Sequence, residues 1–275
     1  IIVISLSTLC TKSRIKEFLV TRKTLELHHE CIWYSVCDQE TADYFKNDDK
    51  FIPVKIVDKE GKHYVGDHDS AKDFFELVMN KMVVMKEGIE RQGYTLFLDT
   101  DLVFLSPLDD SFFSFLENKE KTLFLTSHCH TDEHRDNEEM YGTYNVGMLA
   151  CKDVNFADLW EKETVALNCP HGLEQKPVTN IANRMMESVT VAPPHYNYGW
   201  WRNIISDDMN KLTVDDNKLT LHDNEVINLH AHTDPNNSRG AYEVNFLNVI
   251  FQKMSQTTSY NEVFSIIREV YGMKC

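Results

Sequence analysis

No apolar run in this 275-residue chain approaches the ~18 residues that a membrane-crossing helix needs, so no stretch of it reads as a transmembrane span. Basic residues are scarce as well: 28 Lys and Arg stand against 43 Asp and Glu, a net charge of −15. Nucleic acid and anionic membrane surfaces both want a basic face, so neither is expected as a partner. The seven cysteines are odd in number and contain no Cys-x-x-Cys pair, which leaves neither a disulfide framework nor a zinc knuckle. Reduced thiols in a cytosol-like compartment follow. Internal repeats and low-complexity segments are missing too. What remains is a chain with 42% hydrophobic residues, long enough to bury a large core in one large domain or two small ones.

The most informative stretch runs from Tyr94 to Pro107. Leu96-Phe97-Leu98 is a short continuous apolar run of the kind that forms a parallel strand buried on both faces. It stops at Asp99-Thr100-Asp101. Ligands of open α/β sheets bind outside the carboxyl ends of the strands, which is where these two carboxylates arrive. Residues i and i+2 of an extended segment point the same way, so the two charges are brought close together, a costly arrangement unless a cation lies between them and a ligand. Hard oxygen ligands suit Mg²⁺ or Mn²⁺, and an acidic protein that takes a phosphate-bearing substrate needs such a local cation. Asp is also a common turn residue, but a plain turn does not require the second apolar strand, Leu102 to Leu105, directly after it.

Taken in order, the chain opens with a buried strand, Ile1 to Thr8, that ends in small hydroxyl residues. A helix-period segment over Ser13 to His29 and a second strand, Cys31 to Asp38, complete a right-handed βαβ unit. Phe51 to Val57 is a third strand. Ser70 with Asp73 forms a capping-box pattern, and Phe74, Val78, Met82, Met85 and Ile89 repeat at helical spacing until Gly93 ends that helix. Beyond Pro107 the pattern predicts a helix near Asp110 to Asn118 and a strand over Thr122 to Thr126. Ser127 to Tyr141 holds His128, His130 and His134 beside Asp132, Glu133 and Asp136; the spacing fits no tetrahedral zinc site, and a solvated, mobile loop is expected. Then come a strand over Tyr144 to Ala150 containing Gly147, helices over Val154 to Leu167 and from Gly172 past Asn180, and an aromatic cluster at Tyr196 to Trp201. A hairpin over Leu212 to Leu221, a final strand over Val226 to Thr233 and helices near Tyr242 to Met254 and Asn261 to Tyr271 finish the pattern.

Two families resemble this arrangement. Asp-x-Asp-x-Val after an apolar strand matches the nucleophile motif of haloacid dehalogenase-type phosphatases, in which the first Asp is phosphorylated and the second acts as acid/base. In those enzymes, however, the nucleophile strand usually opens the domain, whereas here two or three strands precede Asp99. Read together, Asp99-Thr100-Asp101, Tyr144-Asn145-Val146-Gly147, the helix start from Gln175 to Asn180, the Asn197 loop and the strand ending in His230 resemble a nucleotide-sugar glycosyltransferase of the GT-A fold over nearly the whole chain. A non-catalytic sugar-binding protein of the same fold is the third alternative.

The GT-A resemblance implies a three-layer α/β/α architecture with a mostly parallel central sheet. It implies one domain over residues 1–275, divided into a nucleotide-binding half, 1–106, and an acceptor half, 107–275. It implies a UDP- or GDP-sugar donor, a hydroxyl acceptor on a glycan or glycoconjugate, and Mn²⁺ or Mg²⁺ as cofactor. In its terms Asp101 binds the metal, Asp99 contacts the ribose or the metal, and a late histidine, His230 or His232, completes the site. With the nucleotide against the first half, the donor-binding candidates are Ser5, Ser7, Thr8, Asp38, Lys81, Asp99, Thr100, Asn145, Gly147 and Arg239. Glu174 is the candidate catalytic carboxylate near the donor sugar, beside Asp99; an ordinary first-turn glutamate favoured by the helix dipole is the competing reading. His230 and His232 lie at i and i+2, which turns both imidazoles to one side of an extended strand. The expected compartment is cytoplasmic, or the secretory or Golgi lumen if an anchor precedes Ile1; the sequon Asn236-Asn237-Ser238 carries little weight.

Overall fold

In the computed structural model, residues 2–58, 75–129, 135–167, 174–202, 211–234 and 241–273 are described. The Ser70–Asp73 capping box, His130, Asp132, Glu133, His134, the Gly172 turn, the sequon and Arg239 lie outside them. Seven strands form the central sheet: β1 (Val3–Cys10), β2 (Glu30–Cys37), β3 (Phe51–Ile56), β4 (Thr95–Leu98), β6 (Leu123–Ser127), β7 (Tyr144–Cys151) and β8 (Val189–Val191), in the order β3-β2-β1-β4-β7-β6-β8. β3, β2, β1 and β4 are mutually parallel, and β6 pairs parallel with β8; β7 runs antiparallel to both its neighbours. The expected mostly parallel sheet is therefore present, and strands from both sides of residue 106 build it.

The period of two along each strand sorts apolar side chains to the two faces. Leu96 and Leu98 join Trp33, Phe112 and Phe124 in one core, under helices α1 (Ile15–Glu26) and α4 (Asp110–Glu117) and beside α2 (Gln39–Tyr44). Phe97 joins Tyr34, Val36 and Trp160 in the other, under α3 (Asn80–Gln92), α6 (Val154–Leu167) and α7 (Gln175–Arg184). This is a three-layer α/β/α sandwich. Gly93 ends α3 in the left-handed conformation, φ +77°, as its position predicts. Among the described residues no helix is long and apolar enough to cross a membrane.

The second, smaller sheet positions the site. It pairs β5 (Leu102–Phe104) antiparallel with β13 (Asn228–His230), and β13 parallel with β9 (Tyr198–Gly199). Helices α8 (Ala241–Met254) and α9 (Asn261–Tyr271) and the hairpin β10 (Leu212–Asp215) to β11 (Lys218–Leu221) supply its core. The hairpin closes through Asp216 and Asn217, both at positive φ, the conformation that a two-residue turn with the right twist needs. The two-residue strand β12 (Asn224–Glu225) pairs antiparallel with β11.

Two expectations are corrected. The stretch from Ser127 to Tyr141 is not loop throughout: Arg135–Tyr141 is a helix, α5, and His128 is buried beside the sheet. The last strand is shorter than its alternation suggests, because β-pairing stops at His230 and His232 lies past its end.

Helix α1 holds the turn between β4 and β5 with two buried hydroxyls. Thr21 Oγ1 accepts the Leu102 N–H at 3.0 Å and lies 2.7 Å from the carbonyl oxygens of Thr100 and Leu102; Thr24 Oγ1 accepts the Phe104 N–H at 3.1 Å. A strand edge that would otherwise be orphaned is satisfied by a helix. Thr21→Val keeps the shape and strands a buried amide, so we expect a loss of about 1–3 kcal/mol in unfolding free energy by urea denaturation. A change within about 0.5 kcal/mol would show that this anchor is dispensable.

Candidate active site

Asp99 leaves β4 at its carboxyl end, and its N–H donates to the Gly147 carbonyl of β7 at 2.8 Å. Its carboxylate faces Lys81 from the first turn of α3, with Nζ 3.1 Å from Asp99 Oδ1 and 3.0 Å from Glu174 Oε1. The ammonium also lies over the Phe97 ring, 5.0 Å from its centroid. Burial works against the charge on Lys81, but Asp99 and Glu174 outweigh it and raise its pKa. Lys81 is thus a fixed cation in a wall that Glu174 shares.

Asp101, two residues on, is 8% exposed. Its Oδ1 lies 3.2 Å from His230 Nε2 and its Oδ2 3.0 Å from His232 Nδ1. The strand register explains the first contact: His230 stands opposite Leu102, and the Ala231 N–H donates to the Asp101 carbonyl at 2.8 Å. His232 Nδ1 also lies 3.3 Å from Glu17 Oε1, and Glu17 Oε2 accepts from Arg14 at 2.6 Å. A chain of alternating charge results, Arg14, Glu17, His232, Asp101. Burial opposes ionisation of Asp101, yet His230 and His232 hold its carboxyl well below the usual carboxylate range. Burial likewise disfavours the charged form of His232, but Asp101 and Glu17 push it up to about 10.

Asp99, Asp101 and His230 each offer a ligand atom, all within 4.8 Å of one another. Two carboxylate oxygens and one imidazole nitrogen are a donor set that fits Mn²⁺ or Mg²⁺. His232 stands outside this cluster; as an imidazolium at neutral pH it offers no lone pair. Beside the cluster is a cavity of about 170 Å³ whose wall includes Arg14, Lys81, Thr100, Glu174 and His232.

The other predicted donor-binding residues are placed differently. Ser5, Ser7 and Thr8 are buried in the sheet: Ser7 Oγ bonds Thr95 Oγ1 at 2.7 Å and the Val84 carbonyl at 3.1 Å, and Thr8 Oγ1 donates to the Leu98 carbonyl at 2.8 Å. Asp38 caps α2, accepting from the Thr41 N–H at 2.8 Å and the Lys12 N–H at 2.7 Å. Asn145 points inward, where it accepts the Gly147 N–H at 2.9 Å. Gly147 permits a close approach: a Cβ there would sit 2.3 Å from His230 Cε1 and 2.9 Å from Asp99 Oδ2. The structure thus brings Lys81, Asp99, Thr100, Asp101, Gly147, Glu174, His230 and His232 to one place and leaves Ser5, Ser7, Thr8 and Asp38 away from the cavity wall. Sequence reasoning did not find Arg14 and Glu17. Their only signal was a glutamate, 1% exposed in the fold, three residues after an arginine at the start of an amphipathic helix.

No family model matches the sequence, and no curated protein matches it. Solved structures do share its fold. A mouse xyloside xylosyltransferase in its apo form is 11% identical, with a TM-score of 0.52, over 87% of this chain and 100% of that one. The glycosyltransferase GlyE of Streptococcus pneumoniae is 12% identical, with a TM-score of 0.53, over 98% of this chain and 64% of that one. The bifunctional glycosyltransferase WbbM is 9% identical, with a TM-score of 0.51, over 96% of this chain and 51% of that one. At such identities the likeness is one of fold, and the fold is GT-A.

The histidine placement has a pH signature. The folded value of His232, about 10, lies above the ~6.5 of an unfolded histidine, so its stabilising contribution is complete below pH ~6.5 and is lost as pH rises through about 10. The Asp101 contribution, from a depressed carboxyl, is present above pH ~4 and is lost on acidification. In EDTA, His232→Gln should therefore lower Tm most between pH ~5 and ~6.5, with the difference from wild type closing above pH ~10. A difference that does not vary with pH would mean that His232 is not held as a cation.

Proposed function

We propose that this chain, built on the GT-A fold, is a metal-dependent glycosyltransferase that moves a sugar from a UDP- or GDP-sugar to a hydroxyl on a glycan acceptor. The observation that carries the reading is the convergence of Asp99, Asp101 and His230, with ligand atoms within 4.8 Å, at the carboxyl end of β4, on a cavity whose wall also carries Arg14, Lys81 and Glu174. Those three residues would hold Mn²⁺ or Mg²⁺. Once bound, the ion supplies Lewis-acid stabilisation to the departing diphosphate.

The chain's own residues do the remainder. Lys81 stays protonated between Asp99 and Glu174 and faces the cavity as a second positive charge for the phosphates or the donor sugar. Arg14, fixed by Glu17, stands on the same wall. Glu174 presents a carboxylate pinned by Lys81, able to balance positive charge growing on the sugar ring or to receive the acceptor's proton. The phosphatase reading would need Asp99 as a free nucleophile. Its pairing with Lys81 and its place in the three-ligand cluster favour metal binding instead.

A panel of nucleotide sugars with Mn²⁺, scored for release of free nucleotide, tests the proposal and identifies the donor. Asp101→Asn should remain folded and lose at least about 100-fold in turnover, because it removes a charged ligand that no core contact replaces. UDP or GDP with Mn²⁺ should raise Tm by mass action, and EDTA should cancel the rise. Turnover of Asp101→Asn at the wild-type rate would refute the metal site, and trapping of beryllofluoride on Asp99 would favour the phosphatase.

A further inference from the structure

Asn197 lies in the segment that sequence reading singled out as an aromatic cluster, and nothing in the proposed reaction uses it directly. It is fully buried, at φ +49°, a left-handed conformation that Asn adopts more readily than other side-chain-bearing residues. Its backbone N–H and both ends of its side-chain amide are engaged. The backbone N–H donates to Asn228 Oδ1 at 3.1 Å, and Nδ2 donates to Asn145 Oδ1 at 2.8 Å and to Thr126 Oγ1 at 2.9 Å. Its Oδ1 lies 3.0 Å from His230 Nδ1.

The direction of these bonds is fixed by a backbone group. The Gly147 N–H can only donate, and it meets Asn145 at 2.9 Å, so the atom it meets is the amide oxygen. The atom of Asn197 that lies 2.8 Å from that same oxygen must then be its NH₂. That leaves the Asn197 oxygen facing His230, and an oxygen acceptor there requires a proton on His230 Nδ1. The opposite end of Asn145 agrees, since Nδ2 lies 3.4 Å from His128 Nε2 while His128 Nδ1 donates to the Gly142 carbonyl at 3.0 Å. The ring is also clamped. Trp201 meets it edge to face at 5.0 Å and 84°, the Gly147 backbone leaves no room beside Cε1, and Gly199 admits the Trp201 ring where a Cβ would lie 2.1 Å from it.

We propose that Asn197 is a positioning residue for His230, a relay from the Gly147 amide through Asn145 that keeps the proton on Nδ1 and turns the Nε2 lone pair toward Asp99 and Asp101. The importance given to that lone pair rests on the reading of His230 as a metal ligand; the placement of the proton does not. A histidine so held keeps its Nδ1 proton and its ring orientation whatever Nε2 shares with Asp101 Oδ1, 3.2 Å away, and partners that orient a ligand in this way typically contribute 10–100-fold to metal affinity.

Two readouts separate the proposals. Long-range ¹⁵N–¹H correlation of the histidine rings in the metal-free full chain, with His230 assigned through His230→Gln, should show the proton on Nδ1. Asn197→Gly, which suits the positive φ, should lose that signal, while Asn145→Asp, which keeps the acceptor for both Gly147 and Asn197, should retain it. Mn²⁺ titration followed by the paramagnetic resonance of free ion should give a Kd about 10–100-fold weaker for Asn197→Gly and within about threefold of wild type for Asn145→Asp. A wild-type His230 with its only proton on Nε2 overturns the proposal even if the glycine variant fails to fold. So does an Asn197→Gly protein that keeps both the signal and the affinity. Wild-type protein that binds no Mn²⁺ refutes the metal reading, and the ring spectrum still decides the placement of the proton.

Discussion

A carboxylate as buried as Asp101 is tolerable only while something positive stays close to it, and much of the site is arranged around that requirement. Two histidines stand against it, His232 as the cation and His230 with Nε2 3.2 Å from Oδ1, each from the segment that closes the small sheet, and each needs its own support. His232 is steadied by Glu17, Glu17 by Arg14, and His230 by Asn197. The sequence of dependence runs from the start of α1 through Asp101 to the loop before β9. Truncating any one member leaves a neighbour with an unmatched charge or an orphaned donor, which costs more than the lost contact itself.

Across the cavity the same logic appears in reverse. Lys81 is a buried cation held by two carboxylates, whereas Asp101 is a buried anion held by two imidazoles. The two clusters face each other over Asp99 and Thr100. A site with both signs already fixed in place needs little reorganisation when charge shifts within it, the condition under which electrostatic stabilisation is most effective.

The elements legible in the sequence were those whose signal is local. Leu96-Phe97-Leu98 declared a buried strand, Gly93 a helix end, and Leu212 to Leu221 a hairpin, because strand alternation and turn chemistry are written within ten residues. Asp99 and Asp101 stood out because two carboxylates at the end of an apolar strand are expensive. Ser7 and Thr8 misled for the opposite reason: a hydroxyl at a strand end serves a ligand or a neighbouring carbonyl equally well, and here neighbouring strands and helix α3 claim it. The role of Asn197, noticed only as part of a loop, and the whole of Glu17 escaped notice because what defines them is the partner, and the partners lie 52 and 215 residues away. A glutamate near the start of an amphipathic helix reads as solvated until the fold buries it.

The antiparallel pairing of β5 with β13 has a mechanical side. Asp101 and His230 are separated by almost half the chain, and their contact spans the junction at which the small sheet meets the end of β4. Closing so long a loop is entropically costly, and the register of β13 on β5 and the hydrophobic core beneath them offset that cost. The site therefore works as a clasp: a β13 displaced by one residue would present Leu229 or Ala231 to Asp101 instead of an imidazole. Chemistry at this centre is available only to chains that have finished folding.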